Sequence, residues 1–335
     1  MKGFDAEFEN LDHYIRVITD RIWEQRRIDD INKYYSEPCA VITPSTISTE
    51  SIKHDLQSVI DGTRSTLAMF PDRRLLAEDV IQSGNEDTGF LSSHRIISPM
   101  THLGDGMFGS ATGRSVQVRT IADCVCKDNR IIHEWLVRDV GAIALHIGTT
   151  PQALAQSWLD KNKPSISAPI SQPLYAPLPQ GYVSHITDNP LAVQYNGALQ
   201  QFFTGDLDKI KQTAGDLYDE AVHQLASNGS SQYGVGQVNL YWHSVFGALT
   251  LHDIKIDHSA HMRSDEPGKG GRPARTATRW IISATHSGDG RFGAASGKEI
   301  HIMGINHVEW LNGKVLREWV LIDEVAIWMQ VLAAS

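Results

Sequence analysis

The chain has 335 residues, a formal charge of −9 at pH 7 and three cysteines. That length accommodates two ordinary domains, each able to bury its own core. The acidic balance, with no stripe of Lys or Arg, argues against nucleic acid or an anionic membrane surface as partner.

Met1 to Asn10 is acidic and lacks an apolar core, so it is not read as a signal peptide, and no run approaches eighteen apolar residues. A soluble, cytoplasmic protein is expected. Cys124 and Cys126 alternate within an expected strand and, with Cys39, read as buried thiols of a reducing compartment.

Residues 9–35 pattern as helix. Tyr14, Ile15, Ile18, Ile22 and Trp23 recur at three- and four-residue steps, with Asn10 or Asp12 as the cap. Ile28, Ile31 and Tyr35 predict a second short helix after a break near Arg26. Residues 40–47 predict a short strand ended by Pro44, and Thr49 to Ser51 opens a helix running to about Met69. Strands follow at 75–82, 89–100, 114–127 and 130–139, punctuated by Gly and Asp. Helices followed by an antiparallel meander make an α+β domain.

Residues 149–190 carry Pro151, Pro164, Pro169, Pro173, Pro177, Pro179 and Pro190. A short helix from Pro151 to Asp160 is expected, then an extended connector that Tyr175, Leu178 and Tyr182 pin to a domain surface. The chain therefore divides into a first domain at 1–148, a connector at 149–188 and a second domain at 189–335. In the second domain, Leu191, Tyr195, Leu199 and Phe202 predict a helix over 191–204, and another follows Gly205-Asp206 to about Leu225. Residues 229–236 read as a loop and 238–246 as helix. Strands are expected at 249–263, 277–287, 298–311 and 314–323.

The shared order of elements reflects a repeat. Thr101, His102, Gly104, Asp105, Gly106, Phe108, Gly109, Ala111 and Gly113 recur 184 positions on as Thr285, His286, Gly288, Asp289, Gly290, Phe292, Gly293, Ala295 and Gly297. Glu134-Trp135 then falls on Glu318-Trp319, and Asp139 on Asp323. A period this long is a whole domain used twice, since solenoid units repeat every 20–50 residues or so.

Each half ends in a hairpin, turned by Asp128-Asn129 and by Asn312-Gly313. With two-residue turns, counting sets Asp139 opposite Val118. Alternation then places Asp139 on one face with Thr120, Ala122, His133, Trp135 and Val137, and Asp323 with Gly304, Asn306, Arg317, Trp319 and Leu321. The opposite face carries Arg119, Asp123, Glu134 and Arg138, and in the second half His307 and Glu318. An aspartate ending an apolar strand face reads in two ways. It caps a turn, or burial raises its pKa into the range of a useful acid or base.

The run Thr-His-x-Gly, Phe-Gly-x-Ala-x-Gly, then Glu-Trp-x-x-x-Asp resembles the SnoaL-like polyketide cyclases of the nuclear-transport-factor-2-like (cystatin-like) superfamily. His146-Ile147-Gly148 and Gln330-Val331-Leu332 stand at that family's closing Gln-Leu-Gly. The resemblance implies two cone-shaped α+β barrels, each wrapping a hydrophobic pocket. It implies that Asp139 and Asp323 are acid/base residues of a cofactor-free intramolecular aldol closure. The chain departs from the family at Ser110-Ala111-Thr112-Gly113 and Ala294-Ala295-Ser296-Gly297, where the family has Pro-Pro-Thr-Gly, and no histidine stands opposite either aspartate.

His102 and His286 are the alternative catalytic histidines, or else they hold the Gly-Asp-Gly turn that Asp105 and Asp289 shape. The expected cone faces make Trp135, Trp319, His133, Arg317 and Asn306 the ligand contacts. His258 and His261 fall on opposite strand faces, so no metal site is expected. Lys269, Arg272 and Arg275 mark a hairpin loop or an anion cradle. The leading reading is cofactor-independent acid/base chemistry, of cyclase, isomerase or lyase type, on a small hydrophobic carbonyl or polycyclic compound. The alternatives are a non-catalytic binding module, or a pair in which one half is purely structural. Sheet-to-sheet packing of the halves into an intrachain pseudo-dimer is also expected from the resemblance, the pair itself being open to further self-assembly.

Overall fold

The computed structural model describes residues 1–44, 55–161, 185–265 and 271–333. The expected helix start at Thr49 and the connector residues Tyr175, Leu178 and Tyr182 lie outside these, as does Lys269.

Asn10 accepts the His13 amide and starts α1 (Leu11–Thr19), which buries Leu11, Tyr14, Ile15 and Ile18. A wider π turn at Asp20–Glu24 carries the same face on to Ile22. A four-residue helix α2 (Ile31–Tyr34) leads into β1 (Tyr35–Ile42), so the strand begins earlier than the sequence pattern suggested. Helix α3 (Leu56–Met69) is capped by Asp55, which accepts the Ser58 amide at 2.6 Å. Four long strands follow: β2 (Leu76–Asn85), β3 (Gly89–Thr101), β4 (Ser115–Lys127) and β5 (Arg130–Arg138). The sheet order is β1-β5-β4-β3-β2, with β1 parallel to β5 and the rest antiparallel. Helix α4 (Val140–Ile147) closes the half on Gly148, whose left-handed φ of 94° suits glycine.

The connector opens with α5 (Pro151–Lys161), the expected helix, which buries Leu154, Ala155, Trp158 and Leu159. The second half repeats the plan. Helices α6 (Pro190–Phe202) and α7 (Leu207–Leu217) precede β6 (Tyr218–Ala226), β7 (Ser230–Tyr233) and α8 (Gly234–Phe246). Strands β8 (Leu249–Met262), β9 (Ala274–His286), β10 (Glu299–Leu311) and β11 (Lys314–Ile322) then lead to α9 (Glu324–Leu332). The sheet order is β7-β6-β11-β10-β9-β8. The helix expected to reach Leu225 ends at Leu217, because 218–226 pairs parallel with β11. The loop expected at 229–236 contains β7, which pairs with β6.

A β-bulge in each terminal hairpin changes the faces inferred by counting. Cys126 faces Ile131 but Val125 faces His133, so Ile132 is an extra residue on β5. Trp310 faces Val315 but Glu309 faces Arg317, which makes Leu316 extra on β11. One added residue flips every side chain beyond it to the other face. Glu134, Leu136 and Arg138 therefore join Thr120, Ala122 and Cys124 on the concave, helix-covered side. His133, Trp135 and Val137 join Ile121, Asp123 and Val125 on the convex side. Asp139 accordingly meets Arg119, donating its amide to that carbonyl at 3.0 Å, not Val118.

The convex faces pack on each other. Ile42, Ile121, Trp135 and Val137 of the first half form one buried cluster with Ile281, Met303, Ile305 and Leu321 of the second. Around it run two reciprocal contacts related by the 184-residue offset. Arg95 lies 3.5 Å from the Trp319 ring centroid, and Arg279 lies 3.7 Å from that of Trp135. Arg95 Nη1 donates to His307 Nδ1 at 3.2 Å, while Arg279 Nη1 donates to Asp123 at 2.6 Å. Contacts in which i touches j and j touches i are the mark of a two-fold interface, reproduced here within one chain.

Candidate functional site

The concave side of the first sheet, roofed by α1 and α3, encloses a cavity of about 580 Å³. Its walls are mostly apolar: Ile15, Ile18, Ile22, Val59, Ile96 and Leu136. Met107, Phe108, Val140 and Trp158 stand at one end. Trp158 is fixed there by its indole N–H, which donates to the Met107 carbonyl at 2.8 Å.

Set into this lining are several polar side chains. Glu134 and Arg138 project from β5 on either side of Leu136. Thr120 projects from β4 opposite Arg138, and His94 from β3 opposite Ala122. Arg73 enters from the segment after α3. Five of their polar atoms are buried with no partner among the described residues: Arg73 Nε and Nη1, His94 Nε2, Thr120 Oγ1 and Arg138 Nε. Burying a polar group unpaired is costly, so such a concentration is expected where a ligand supplies the missing partners.

Burial controls the charge states. Desolvation raises Glu134 to about 7, opposed by the Tyr35 hydroxyl 3.4 Å away and by the Arg138 charge. His94 is pushed down to about 3, mainly by burial and then by Arg16, and is neutral at physiological pH. Arg138 is lowered by burial, with the Asp323 and Glu134 charges opposing.

Asp323 does not line a second cone. It reaches the end of the first domain's cavity from the N-terminus of α9. It accepts the Val325 and Ala326 amides at 3.0 and 3.1 Å, and burial raises its carboxyl to about 7. Asp139 is raised by burial to about 6, but both its oxygens are occupied by main-chain donors. It accepts Ala142 at 3.0 Å, and Asn228 at 2.8 Å and Gly229 at 3.0 Å from the other half. Of the two roles that an aspartate here can take, Asp139 fills that of a cap, and it also fastens the two halves together.

The other expected residues are dispersed. His102 and His286 are buried beside their loops, with Nδ1 at 3.2 Å from Thr112 Oγ1 and at 3.1 Å from Ser296 Oγ. Asp105 and Asp289 accept the Ala111 and Ala295 amides within the same turns. Trp135 and Trp319 belong to the inter-sheet layer, and His133 shares the Trp135 face with its ring centroid 4.1 Å from that of Trp135, on the side of the sheet away from the cavity. Arg317 is exposed and pairs with Glu309 at 3.2 Å. Asn306 is on a concave face, but in the second domain, whose interior is filled. The site residues that counting assigned to the outer face, Glu134 and Arg138, would have been found by allowing for a bulge after Asn129.

In the second domain, Trp280, Phe203 and Phe246 occupy the space that is open in the first, with ring centroids 4.5 and 6.1 Å from Trp280. The Trp280 indole donates to Asn306 at 2.9 Å, and Asn306 donates to Tyr195 at 2.7 Å. Glu318, the counterpart of Glu134, accepts from Tyr195, from Tyr218 at 2.7 Å and from Gln224 at 2.8 Å. Where the first domain has Ile96 facing Thr120, the second has Trp280 facing Gly304, and a Cβ on Gly304 would collide with that indole.

Comparison with known proteins gives likeness of structure alone: no family model matches the chain and no curated protein does. IdmH of Streptomyces antibioticus is 19% identical, covering 41% of this chain and 98% of its own, with a TM-score of 0.36. A SnoaL-like polyketide cyclase of Agrobacterium tumefaciens is 19% identical over 42% of this chain and 99% of its own, with a TM-score of 0.34. A protein with a ketosteroid isomerase-like fold from Catenulispora acidiphila is 8% identical over 44% and 96%, with a TM-score of 0.31. Each match spans close to the whole of the solved protein and less than half of this chain. In fold, and over less than half of its length in each match, the chain is similar to SnoaL-like polyketide cyclases.

Proposed function

We propose that the first domain is the working half and the second its structural partner. The cavity takes a small, mostly apolar carbonyl compound, and Glu134 moves a proton on it without a cofactor. The observation that carries this is the placement of one carboxyl, with a single long hydrogen bond, in an apolar cavity beside unpartnered donors. A carboxyl at about 7 is divided between acid and base at neutral pH, which suits it to both halves of a proton transfer.

In the step envisaged, the Glu134 carboxylate removes a proton from the carbon beside the ligand's carbonyl. The C–H electrons become the double bond of an enolate, and Arg138 Nε–H and the Thr120 hydroxyl offer hydrogen bonds to its oxygen. Protonated Glu134 then returns the proton, either to another carbon or to the alkoxide formed when the enolate closes onto a second carbonyl of the same molecule. Asp323, held close to Arg138, is a second acid at the cavity's end. His102, His286 and Asp139 hold loops and the domain contact.

Deuterium uptake at the α-carbon of 2-tetralone and related bicyclic ketones, followed by NMR in D₂O, tests this directly. Uptake faster than buffer in the native protein, and slowed in Glu134→Gln, is the expected result. Ketones that bind but exchange at the buffer rate would show a binding module without chemistry.

A further inference from the structure

The enolisation step leaves Arg73 unused. Its side chain is only 2% exposed and lines the cavity. Nε and Nη1 have no partner, and Nη2 makes one long contact to Ser98 Oγ at 3.5 Å. The guanidinium lies 4.8 Å from the Trp23 ring centroid, a cation–π contact that eases its burial without supplying a negative charge. The carboxylate whose field reaches it, Glu24, is already engaged by Arg74 at 3.0 Å and by the Leu75 amide at 2.5 Å. Arg138 adds a second positive charge nearby. A guanidinium keeps its proton in proteins, so this one is a buried cation whose counter-ion is not supplied by the described residues.

We propose that the ligand is an amphiphilic carboxylate, whose apolar body fills the cavity and whose carboxylate pairs with Arg73. The planar guanidinium fork matches a carboxylate, and such charge-assisted bonds are about twice as strong as neutral ones. A single negative charge also fits better than the double charge of a phosphate ester, because Glu134 and Asp323 line the same cavity. The inference rests on the reading of this cavity as a ligand site and adds the charge of what enters it.

The test uses two fluorescent probes of nearly equal size, anthracene-9-carboxylate and 9-anthracenemethanol, titrated into the full-length protein. The carboxylate is expected to bind about tenfold to a hundredfold more tightly, the range for a hydrogen bond to a charged group. Arg73→Gln should remove that preference while leaving the affinity for the alcohol unchanged. Should that variant not fold, the comparison of probes on native protein and on Arg73→Lys, which keeps the charge but loses the fork, decides the matter. Equal affinity for the two probes on the native protein overturns the carboxylate and leaves the cavity standing. Binding of neither probe overturns both.

Discussion

The two concave faces are built from equivalent strand positions, yet one encloses a cavity and the other a solid core. Four exchanges on the strands distinguish them, beside Phe203 and Phe246, which the helices of the second half add to its interior. Ile96 becomes Trp280, Thr120 becomes Gly304, Ala122 becomes Asn306 and His94 becomes Thr278. The tryptophan fills the cone, the glycine makes room for it, and the asparagine accepts its indole N–H. The glutamate is common to both faces. In the second domain it is saturated by two tyrosines and a glutamine, and in the first it has one long contact. The two copies thus hold an equivalent carboxyl in opposite surroundings, saturated with hydrogen bonds in one and with a single long contact beside a cavity in the other.

Exchanging the carboxyl in each half should separate the two copies most clearly. Glu134→Gln should lower turnover by roughly 10²–10⁴-fold, the usual contribution of a general acid or base. Glu318→Gln should leave turnover near native and appear instead as a lower urea midpoint. Equal losses of activity from the two variants would sink the division of labour.

Next in size is the packing of the closed cone. Trp280→Ala should cost about 3–5 kcal/mol in chemical denaturation, as deletion of a buried tryptophan does. A cost below about 1 kcal/mol would mean that the second cone is not a packed core.

The domain contact should be unequal despite its symmetry. Arg279→Met strands the buried carboxylate of Asp123 and leaves Asp257 with Lys255 alone, so about 3–5 kcal/mol is expected. Arg95→Met removes a partner from Glu78, which keeps Arg119 at 2.8 Å, and from a neutral His307, so a clearly smaller loss is expected. Equal losses in parallel urea titrations would contradict this.

Stability should also depend on pH through Glu134. Its folded pKa is raised from 4.5 to about 7, so the folded state binds the proton more tightly than the unfolded state does. The resulting contribution, about 3 kcal/mol at most, is complete below pH 4.5 and is lost as pH rises to about 7. Glu134→Gln should reduce the slope in that window without abolishing it, because Asp139 and Asp323, raised to about 6 and about 7, contribute with the same sign; an unchanged slope would show that the Glu134 carboxyl is not desolvated. The smallest effect is expected from closing the open cone. Ile96→Trp combined with Thr120→Gly should shift stability by no more than roughly 1–2 kcal/mol while abolishing binding of both anthracene probes, so retained binding would place the ligand elsewhere.

Much of the architecture was legible in the sequence. The 184-residue offset, the Asn-Gly and Asp-Asn turns and the alternating runs located the hairpins to within a residue or two, because these signals are local and periodic. The same locality explains what was lost. Whether 218–226 is helix or strand depends on a parallel partner nearly a hundred residues away in β11, which no local window contains. One inserted residue, Ile132, reversed the faces of β5, and with them the roles assigned to His133, Trp135, Glu134 and Arg138.

The repeat of one domain, the positions of most strands and turns, and the acidic residues that follow the tryptophans in each final hairpin are all readable from the chain alone. Which carboxyl meets a cavity is settled by folding, because it depends on a bulge and on what fills the opposite wall. Folding also sets Asp139 against the amides of Asn228 and Gly229, and brings Asp323 into the lining of the other half's cavity. Long-range packing sets desolvation, and desolvation sets which of several similar carboxyls can act near neutral pH.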